Sequence, residues 1–77
     1  LSEEDANYKG QLIEYCHSQN FPTPKFDIIE SHGPDHEKTF TIKVSINTKE
    51  HWIGIGSTKK TAEQEGAQKA IQYLLGG

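Results

Sequence analysis

Apolar residues recur every three or four positions in two stretches of the 77-residue chain, one near each end. This spacing is typical of amphipathic helices. The first helix is predicted from about Asn7 to Gln19, and it ends before residues 20–24 because the two prolines there cannot continue a helix. Its apolar stripe consists of Tyr8, Leu12, Tyr15 and Cys16.

The second helix is predicted to begin near Ser57 or Thr58, since either hydroxyl can cap a helix N-terminus. It runs to about Leu75, and Gly76 and Gly77 are expected to end it. Its apolar stripe consists of Ala62, Gly66, Ala67, Ala70, Ile71 and Leu74. The small residues in the middle of this stripe would let the helix lie close to a neighbouring sheet.

Between the helices, the alternation typical of β-strands occurs three times, in residues 25–31, 39–46 and 51–56. The middle stretch alternates most clearly, and its apolar face consists of Phe40, Ile42, Val44 and Ile46. In the first stretch Phe26 and Ile28 share one side. Short connections require neighbouring strands to be antiparallel. The predicted fold class is therefore α+β in the order α-β-β-β-α, with a three-stranded antiparallel sheet and both helices packed on one face.

A chain of 77 residues is long enough for one small domain. We expect an acidic leader in residues 1–6, the domain in residues 7–75 and a short tail in residues 76–77. No apolar run approaches the ~18 residues of a membrane span, and no signal peptide is recognisable. The single cysteine, Cys16, excludes an internal disulfide and favours a reducing, intracellular location. The four histidines lack paired ligand spacing, so no metal or other cofactor is predicted.

The formal net charge of −3 argues at first against a nucleic-acid partner. Three of the acidic residues, however, are Glu3, Glu4 and Asp5 in the leader, and without them positive and negative charges balance. The chain has lysines but no arginine. Lysine suits contacts with phosphate better than the bidentate reading of base edges.

Lys59 and Lys60 fall in the first turn of the predicted second helix. A helix N-terminus carries about half a positive charge, so a cation there costs ~0.3–1 kcal/mol. Two lysines beside exposed N–H groups form a site suited to phosphate. The alternative is a solvated pair of surface lysines, with Glu63 four residues after Lys59 as its ion-pair partner.

Two other places carry polar groups suited to a ligand. In the loop of residues 33–36, glycine and proline fix a turn that projects His36, although such loops also use these residues for backbone reasons. On the first helix, Glu14 and His17 lie one turn apart on the polar face, which is either a binding face for hydroxyls or an ordinary solvated surface. Ile13 lies on that face with nothing of its own domain to cover it, and a contact with a partner or ligand would account for it.

Three sequence patterns together are specific. They are Tyr8-Lys9 followed by Leu12 and Glu14, then Gly33-Pro34-x-His36-x-x-x-Phe40, and then Gly54-x-Gly56-x-Thr58-Lys59-Lys60-x-Ala62-Glu63-Gln64-x-x-Ala67-x-x-Ala70-Ile71. With these patterns the chain resembles the double-stranded RNA-binding domain (dsRBD) family from about Tyr8 to Leu75. It looks most like the C-terminal dsRBD of ribonuclease III enzymes, or like plant-type double-stranded RNA-binding proteins.

The resemblance implies a non-catalytic module that recognises the shape, phosphates and 2′-hydroxyls of A-form RNA with little sequence specificity. It implies that the first helix and the loop between the first two strands reach successive minor grooves. The lysines that open the second helix would then contact phosphates across the intervening major groove. The implied RNA-binding residues are Gly10, Ile13, Glu14, His17, Pro34, His36, Lys38, Thr58, Lys59 and Lys60.

Three positions depart from the pattern of the family. Ile13 stands where a polar residue such as glutamine is common, which removes one hydrogen bond to the minor groove. Gly66 replaces an alanine, at a helix cost of up to ~1 kcal/mol. Glu63 stands where some members carry a third lysine, and this lowers the affinity expected for RNA.

Two other classes of function compete with RNA binding. A protein-interaction or dimerisation module of the same fold is favoured by the net acidity, the absence of arginine and an exposed Ile13. An enzyme is disfavoured, because the chain has no nucleophile with a histidine and an acid, no clustered carboxylates and no phosphate-binding glycine pattern. The parent protein is expected to be a ribonuclease III-like or RNA-silencing protein, and it is an endoribonuclease only if a catalytic domain precedes this segment.

Overall fold

The computed structural model describes residues 7–47 and 50–76, so the acidic leader predicted at 1–6 lies outside the described residues. The elements in chain order are α1 (Tyr8–Ser18), β1 (Lys25–His32), a 3-10 turn (Asp35–Glu37), β2 (Thr39–Ile46), β3 (Glu50–Gly56) and α2 (Lys59–Gly76). This order confirms the predicted α-β-β-β-α arrangement. Several boundaries differ by one residue from the prediction, among them the end of β1 at His32, the start of β3 at Glu50 and the end of α2, which includes Gly76.

The three strands form one antiparallel sheet in the order β1-β2-β3. The core lies between β2 and the two helices. Its buried members are Leu12 and Cys16 of α1, Ile42, Val44 and Ile46 of β2, and Ala62, Ala67, Ala70 and Ile71 of α2. Both apolar stripes predicted for the helices therefore contribute to one core, on one face of the sheet.

The end of α1 is fixed by the backbone of Asn20, which has a φ of 63°. In this left-handed conformation the Asn20 amide donates to the His17 carbonyl at 3.2 Å, and the Phe21 amide donates to the Cys16 carbonyl at 2.8 Å. The Phe21 ring also packs edge-on against Tyr15, with ring centroids 6.4 Å apart. The helix thus ends before the prolines, as predicted, through a turn that involves neither of them.

Burial along β1 is lower than its alternation suggests. Ile28 lies opposite Ile42 and Phe26 lies opposite Val44, so the two share the inner side of the sheet as predicted. Ile28 is nevertheless 47% exposed, whereas Phe26 packs against the core. The cause is the position of α2, which packs on β3 and β2 and leaves the edge strand β1 largely uncovered.

Two glycines allow α2 to lie directly against the sheet. A Cβ atom on Gly54 of β3 would come 2.1 Å from the carbonyl oxygen of Ala62, and one on Gly66 would come 2.6 Å from Cγ2 of Val44. Neither distance is compatible with a side chain unless a neighbour moves. The glycine at position 66, costly for the helix alone, is therefore required by the packing of the helix on β2 and β3.

We predict that Gly66→Ala destabilises the fold although alanine is the better helix former. Overpacking costs ~1–3 kcal/mol, and helix propensity returns at most ~1 kcal/mol. Urea unfolding followed by circular dichroism measures the difference. Because Cγ2 is absent in Val44→Ala, the same glycine substitution should cost less in that background. A Gly66→Ala protein more stable than the parent, or an equal cost in both backgrounds, contradicts the packing argument; exposed Gln72→Ala is the control.

Candidate functional site

Lys59 and Lys60, called the lysine pair below, occupy the first two positions of α2. The helix is capped by Thr58, whose side-chain oxygen accepts a hydrogen bond from the Thr61 amide at 3.0 Å and whose hydroxyl donates to Oγ1 of Thr61 at 2.9 Å. Both lysines are exposed, and the first turn contains no acidic residue. Within residues 7–47 and 50–76, neither lysine takes part in an ion pair. The N-terminus of α2 therefore presents uncompensated positive charge to solvent.

The alternative in which Glu63 neutralises Lys59 is wrong, because Glu63 is bonded elsewhere. Its Oε1 lies 3.1 Å from Nζ of Lys9 in α1. The same ammonium lies 4.9 Å from the centre of the Phe26 ring, and the Lys9 amide donates to Oε1 of Gln64 at 3.1 Å. Lys9 thus joins α1 to α2 and to β1. The sequence pattern offered Lys59 as the partner of Glu63, and it gave no sign that Lys9 lies next to Glu63 and Gln64 in space.

The loop between β1 and β2 has a fixed shape. Gly33 has a φ of 100°, and a Cβ atom there would lie 2.5 Å from the carbonyl oxygen of Glu37. The Glu37 amide donates to the Pro34 carbonyl at 2.9 Å and closes the 3-10 turn. His36 lies in this turn and is exposed. Lys38 is less available, because it is half-buried and its Nζ lies 3.9 Å from Asp35.

This loop and the lysine pair lie at the same end of the sheet. Phe40 of β2 is paired with Ser31 on one side and with Gly56 on the other. The loop connects β1 and β2 just beyond the first of these pairs, and α2 begins three residues after Gly56. The topology therefore brings together two of the three regions that the resemblance implies.

The residues of the third region, on α1, differ from one another in exposure and in bonding. Glu14 and His17 are exposed, and Nε2 of His17 lies 3.1 Å from Oγ1 of Thr23. Ile13 is half-buried, so the expectation of an uncovered apolar side chain is corrected. Gly10 supports the start of α1: its amide donates to Oδ1 of Asn7 at 3.3 Å, and a Cβ atom there would approach that asparagine side chain.

The two helices run in the same direction. Tyr8 of α1 shares a groove of about 460 Å³ with Lys60 and Gln64 at the start of α2. Further along, Glu14 shares a groove of about 350 Å³ with Ile71 and Leu75 in the second half of α2. Glu14, on the exposed polar face of α1, consequently lies beside the second half of α2, whereas the lysine pair lies at the start of α2. The three regions occupy distinct positions on one helical layer and one end of the sheet.

Other site chemistries find little support in the part of the chain that the structure describes. Burial raises the pKa of the Cys16 thiol, which disfavours a reactive thiolate. No group of three or more histidine, cysteine or acidic residues is placed to hold a metal ion among the described residues. Neither described helix has the length and apolar composition needed to cross a membrane.

Comparison with known proteins gives a family match. The family model described as "Double-stranded RNA binding motif" matches residues 8–74. A Ribonuclease 3 of Chlorobaculum tepidum is 42% identical over 77 residues, which are all of this chain and 28% of that protein. A Ribonuclease 3 of Geobacillus sp. is 41% identical over 68 residues, which are 88% of this chain and 28% of that protein. The chain therefore spans little more than a quarter of the length of these relatives.

Solved structures give the same fold. The solution structure of both dsRBDs of DRB4 with their linker has a TM-score of 0.74 and 28% identity, and the match covers 99% of this chain and 49% of that one. The first dsRBD of HYL1 has a TM-score of 0.70 and 30% identity, with 83% of this chain and 90% of that chain covered.

We predict that Lys9→Met and Glu63→Gln each destabilise the fold. The ion pair is partly exposed, with side-chain exposures of 39% and 23%, so its coupling energy should be about 0.5 kcal/mol. The cation–π contact adds ~0.5–1 kcal/mol to the cost of Lys9→Met alone. Urea unfolding of both single variants and the double variant measures the coupling, which should fall in high salt. A coupling energy of zero at low salt would show that the ion pair contributes nothing to the stability of the fold. Lys25→Met, which removes an exposed lysine from β1, is the control.

Proposed function

Because the chain belongs to the double-stranded RNA binding motif family, we propose that it binds A-form RNA through three regions. The lysine pair contacts phosphates across the major groove, while α1 and the loop between β1 and β2 enter the flanking minor grooves. The observation that carries this proposal is the exposed lysine pair on a helix N-terminus without an acidic partner among the described residues. The proposed contact residues are Gly10, Ile13, Glu14, His17, Pro34, His36, Lys38, Thr58, Lys59 and Lys60.

Recognition in this proposal depends on the shape of the duplex. The ammonium groups bind phosphates without reading the sequence, and the Glu14 carboxylate accepts hydrogen bonds from 2′-hydroxyls. His36 and His17 contribute ring nitrogens that accept or donate according to their tautomer. A B-form duplex lacks both the 2′-hydroxyl and the wide, shallow minor groove, so the module distinguishes RNA from DNA while remaining nearly indifferent to base sequence.

The module itself is non-catalytic, and we infer that its parent is a ribonuclease III-like protein. Support comes from relatives named Ribonuclease 3, of which this chain matches 28% of the length in two cases. In such a parent, the module would bring a separate catalytic domain to its RNA. An intracellular location, which the single free cysteine favours, belongs to the same proposal.

A protein-interaction or dimerisation module of the same fold is the competing proposal. The sequence favoured this function partly because Ile13 was expected to be exposed. In the structure Ile13 is half-buried, which weakens the argument for an interaction module. Light scattering with and without a duplex separates the two functions. A stable dimer that ignores RNA would support the interaction module, whereas a particle that gains the mass of the duplex would support RNA binding.

We predict that Lys59→Ala/Lys60→Ala lowers the affinity for a 20-base-pair RNA at least about tenfold, because two phosphate contacts are lost. The slope of log affinity against log salt should fall by about two. Gel shift or fluorescence anisotropy over a series of salt concentrations measures both quantities.

Lys25→Ala/Lys43→Ala is the matched control for that variant. It removes the same charge from the sheet. Lys25 lies opposite Ser45, at the end of the sheet away from the start of α2, and Lys43 lies opposite Ile53, in the middle of β2. The control should retain affinity close to that of the unmodified chain. Equal losses in the two variants would indicate a general effect of charge, and unchanged binding by Lys59→Ala/Lys60→Ala would refute the proposed phosphate site.

A second prediction concerns the choice between RNA and DNA. His36→Ala and Glu14→Ala should each weaken RNA binding about threefold to tenfold, as expected for one lost hydrogen bond, and weaken residual DNA binding less. Competition of a labelled RNA duplex with unlabelled RNA and DNA of the same sequence measures the ratio. If both duplexes lose affinity equally, neither side chain reads the ribose.

A further inference from the structure

The free edge of β3 carries main-chain groups that point away from the sheet. β3 is the last strand in the order β1-β2-β3, so no other strand of the described residues pairs with its outer side. The Ile55 amide and the Ile53 carbonyl are bonded to side chains of α2, which places these groups on the outer edge. Because alternate residues of a strand direct both of their main-chain groups to one side, the Ile53 amide and the Ile55 carbonyl share this edge.

Two side chains of α2 cover part of that edge. The Ile55 amide donates to Oε1 of Glu65, and Nζ of Lys69 donates to the Ile53 carbonyl at 3.0 Å. Glu65 and Lys69 are four residues apart, one helical turn, so both reach β3 from the same side of α2. We call these two residues the edge clasp. Exposed strand edges are sites of unwanted pairing, and charged side chains on the edge are one way of preventing it.

The covered edge is complementary to itself. If two copies of β3 met in antiparallel register about a two-fold axis at Gly54, Ile53 of each copy would lie opposite Ile55 of the other. In a hydrogen-bonded antiparallel pair, two opposed residues exchange both of their N–H and C=O groups. The Ile55 amide of one copy would then donate to the Ile53 carbonyl of the other. These are the two groups that the edge clasp occupies.

The side chains of β3 also favour such pairing. The strand contains Trp52, Ile53 and Ile55, and branched and aromatic residues fit a pleated surface. Ile55 is 50% exposed, and it lies opposite Thr41 on the outer face of the sheet. A second copy would bury this apolar surface, and this burial would favour pairing at an uncovered edge.

We propose that the edge clasp keeps the chain monomeric by occupying the main-chain groups through which a second copy would pair at β3. Glu65 and Lys69 make hydrogen bonds within one chain in place of the main-chain hydrogen bonds that would join two copies. Removal of the clasp exposes a self-complementary edge and produces a symmetric dimer, with the same surface used by both copies. This inference is independent of the proposed RNA contacts, since neither Glu65 nor Lys69 belongs to them.

The test compares the unmodified chain with Glu65→Ala/Lys69→Ala by light scattering over a series of concentrations. The unmodified chain should have the mass of one chain throughout, and the variant should approach twice that mass as its concentration rises. Amide exchange measured by NMR reports the interface. In the dimer, the Ile53 amide should become protected because it donates to the Ile55 carbonyl of the other copy.

Lys25→Ala/Asp27→Ala is the matched control, since it removes one positive and one negative charge from exposed residues of β1 at the opposite edge. It should remain monomeric. If the double alanine variant fails to fold by circular dichroism, Lys69→Met removes the donor alone and keeps a good helix former. The proposal is overturned by a folded clasp variant that stays monomeric, by a dimer without protection of Ile53, or by an unmodified chain that pairs through β3.

Discussion

The close approach of α2 to β3 is the constraint on which the rest of the structure depends. Gly54 and Gly66 face each other where any Cβ atom would meet a neighbour at less than 3 Å. With the helix fixed on this strand, α2 must begin where β3 ends, and Thr58 caps it two residues after Gly56. The same end of the sheet carries the loop between β1 and β2. Tight packing therefore gives the lysine pair and that loop a fixed separation.

The position of α1 depends on a second interaction, centred on Lys9. One side chain contacts Glu63 of α2 and the ring of Phe26 in β1, and its own amide is bonded to Gln64. In the proposed complex with RNA, an acidic residue at position 63 gives up a phosphate contact that a lysine could make there. In exchange it fixes α1 relative to the start of α2. A surface that reads duplex shape needs such fixed spacing, because shape is read as the distance between contacts.

Most of the fold could be predicted because it is encoded locally. Periodicity identifies both helices and all three strands, and the buried residues Leu12, Ile42 and Ala70 lie on the predicted faces. The partner of Glu63 could not be found this way. Helical spacing suggests Lys59, whereas the actual partner is 54 residues distant in sequence and is brought close by the packing of two helices.

The same limit explains the errors in burial. Alternation correctly assigns Ile28 to the inner side of β1, but its exposure depends on how far α2 extends across the sheet, which is a property of the assembled fold. Ile13 is half-buried, which the helical spacing of apolar residues did not indicate. For the candidate site, the sequence predicted exposed polar residues, all but Lys38 correctly, and left the cap open between Ser57 and Thr58. Which of them contact RNA stays a prediction, since the fold determines their placement and not their ligand.

The distribution of charge resolves the conflict between a net charge of −3 and a polyanionic ligand. Electrostatic interactions at physiological salt are screened beyond about 8 Å, while the longest dimension of the described structure is 40 Å. A bound phosphate therefore responds to the charges beside it. Two acidic side chains, Glu63 and Asp35, already lie within 4 Å of the ammonium of another lysine, Lys9 and Lys38 respectively. The lysine pair has no such partner among the described residues, so no ion pair neutralises its two charges at the start of α2 although the chain as a whole is acidic.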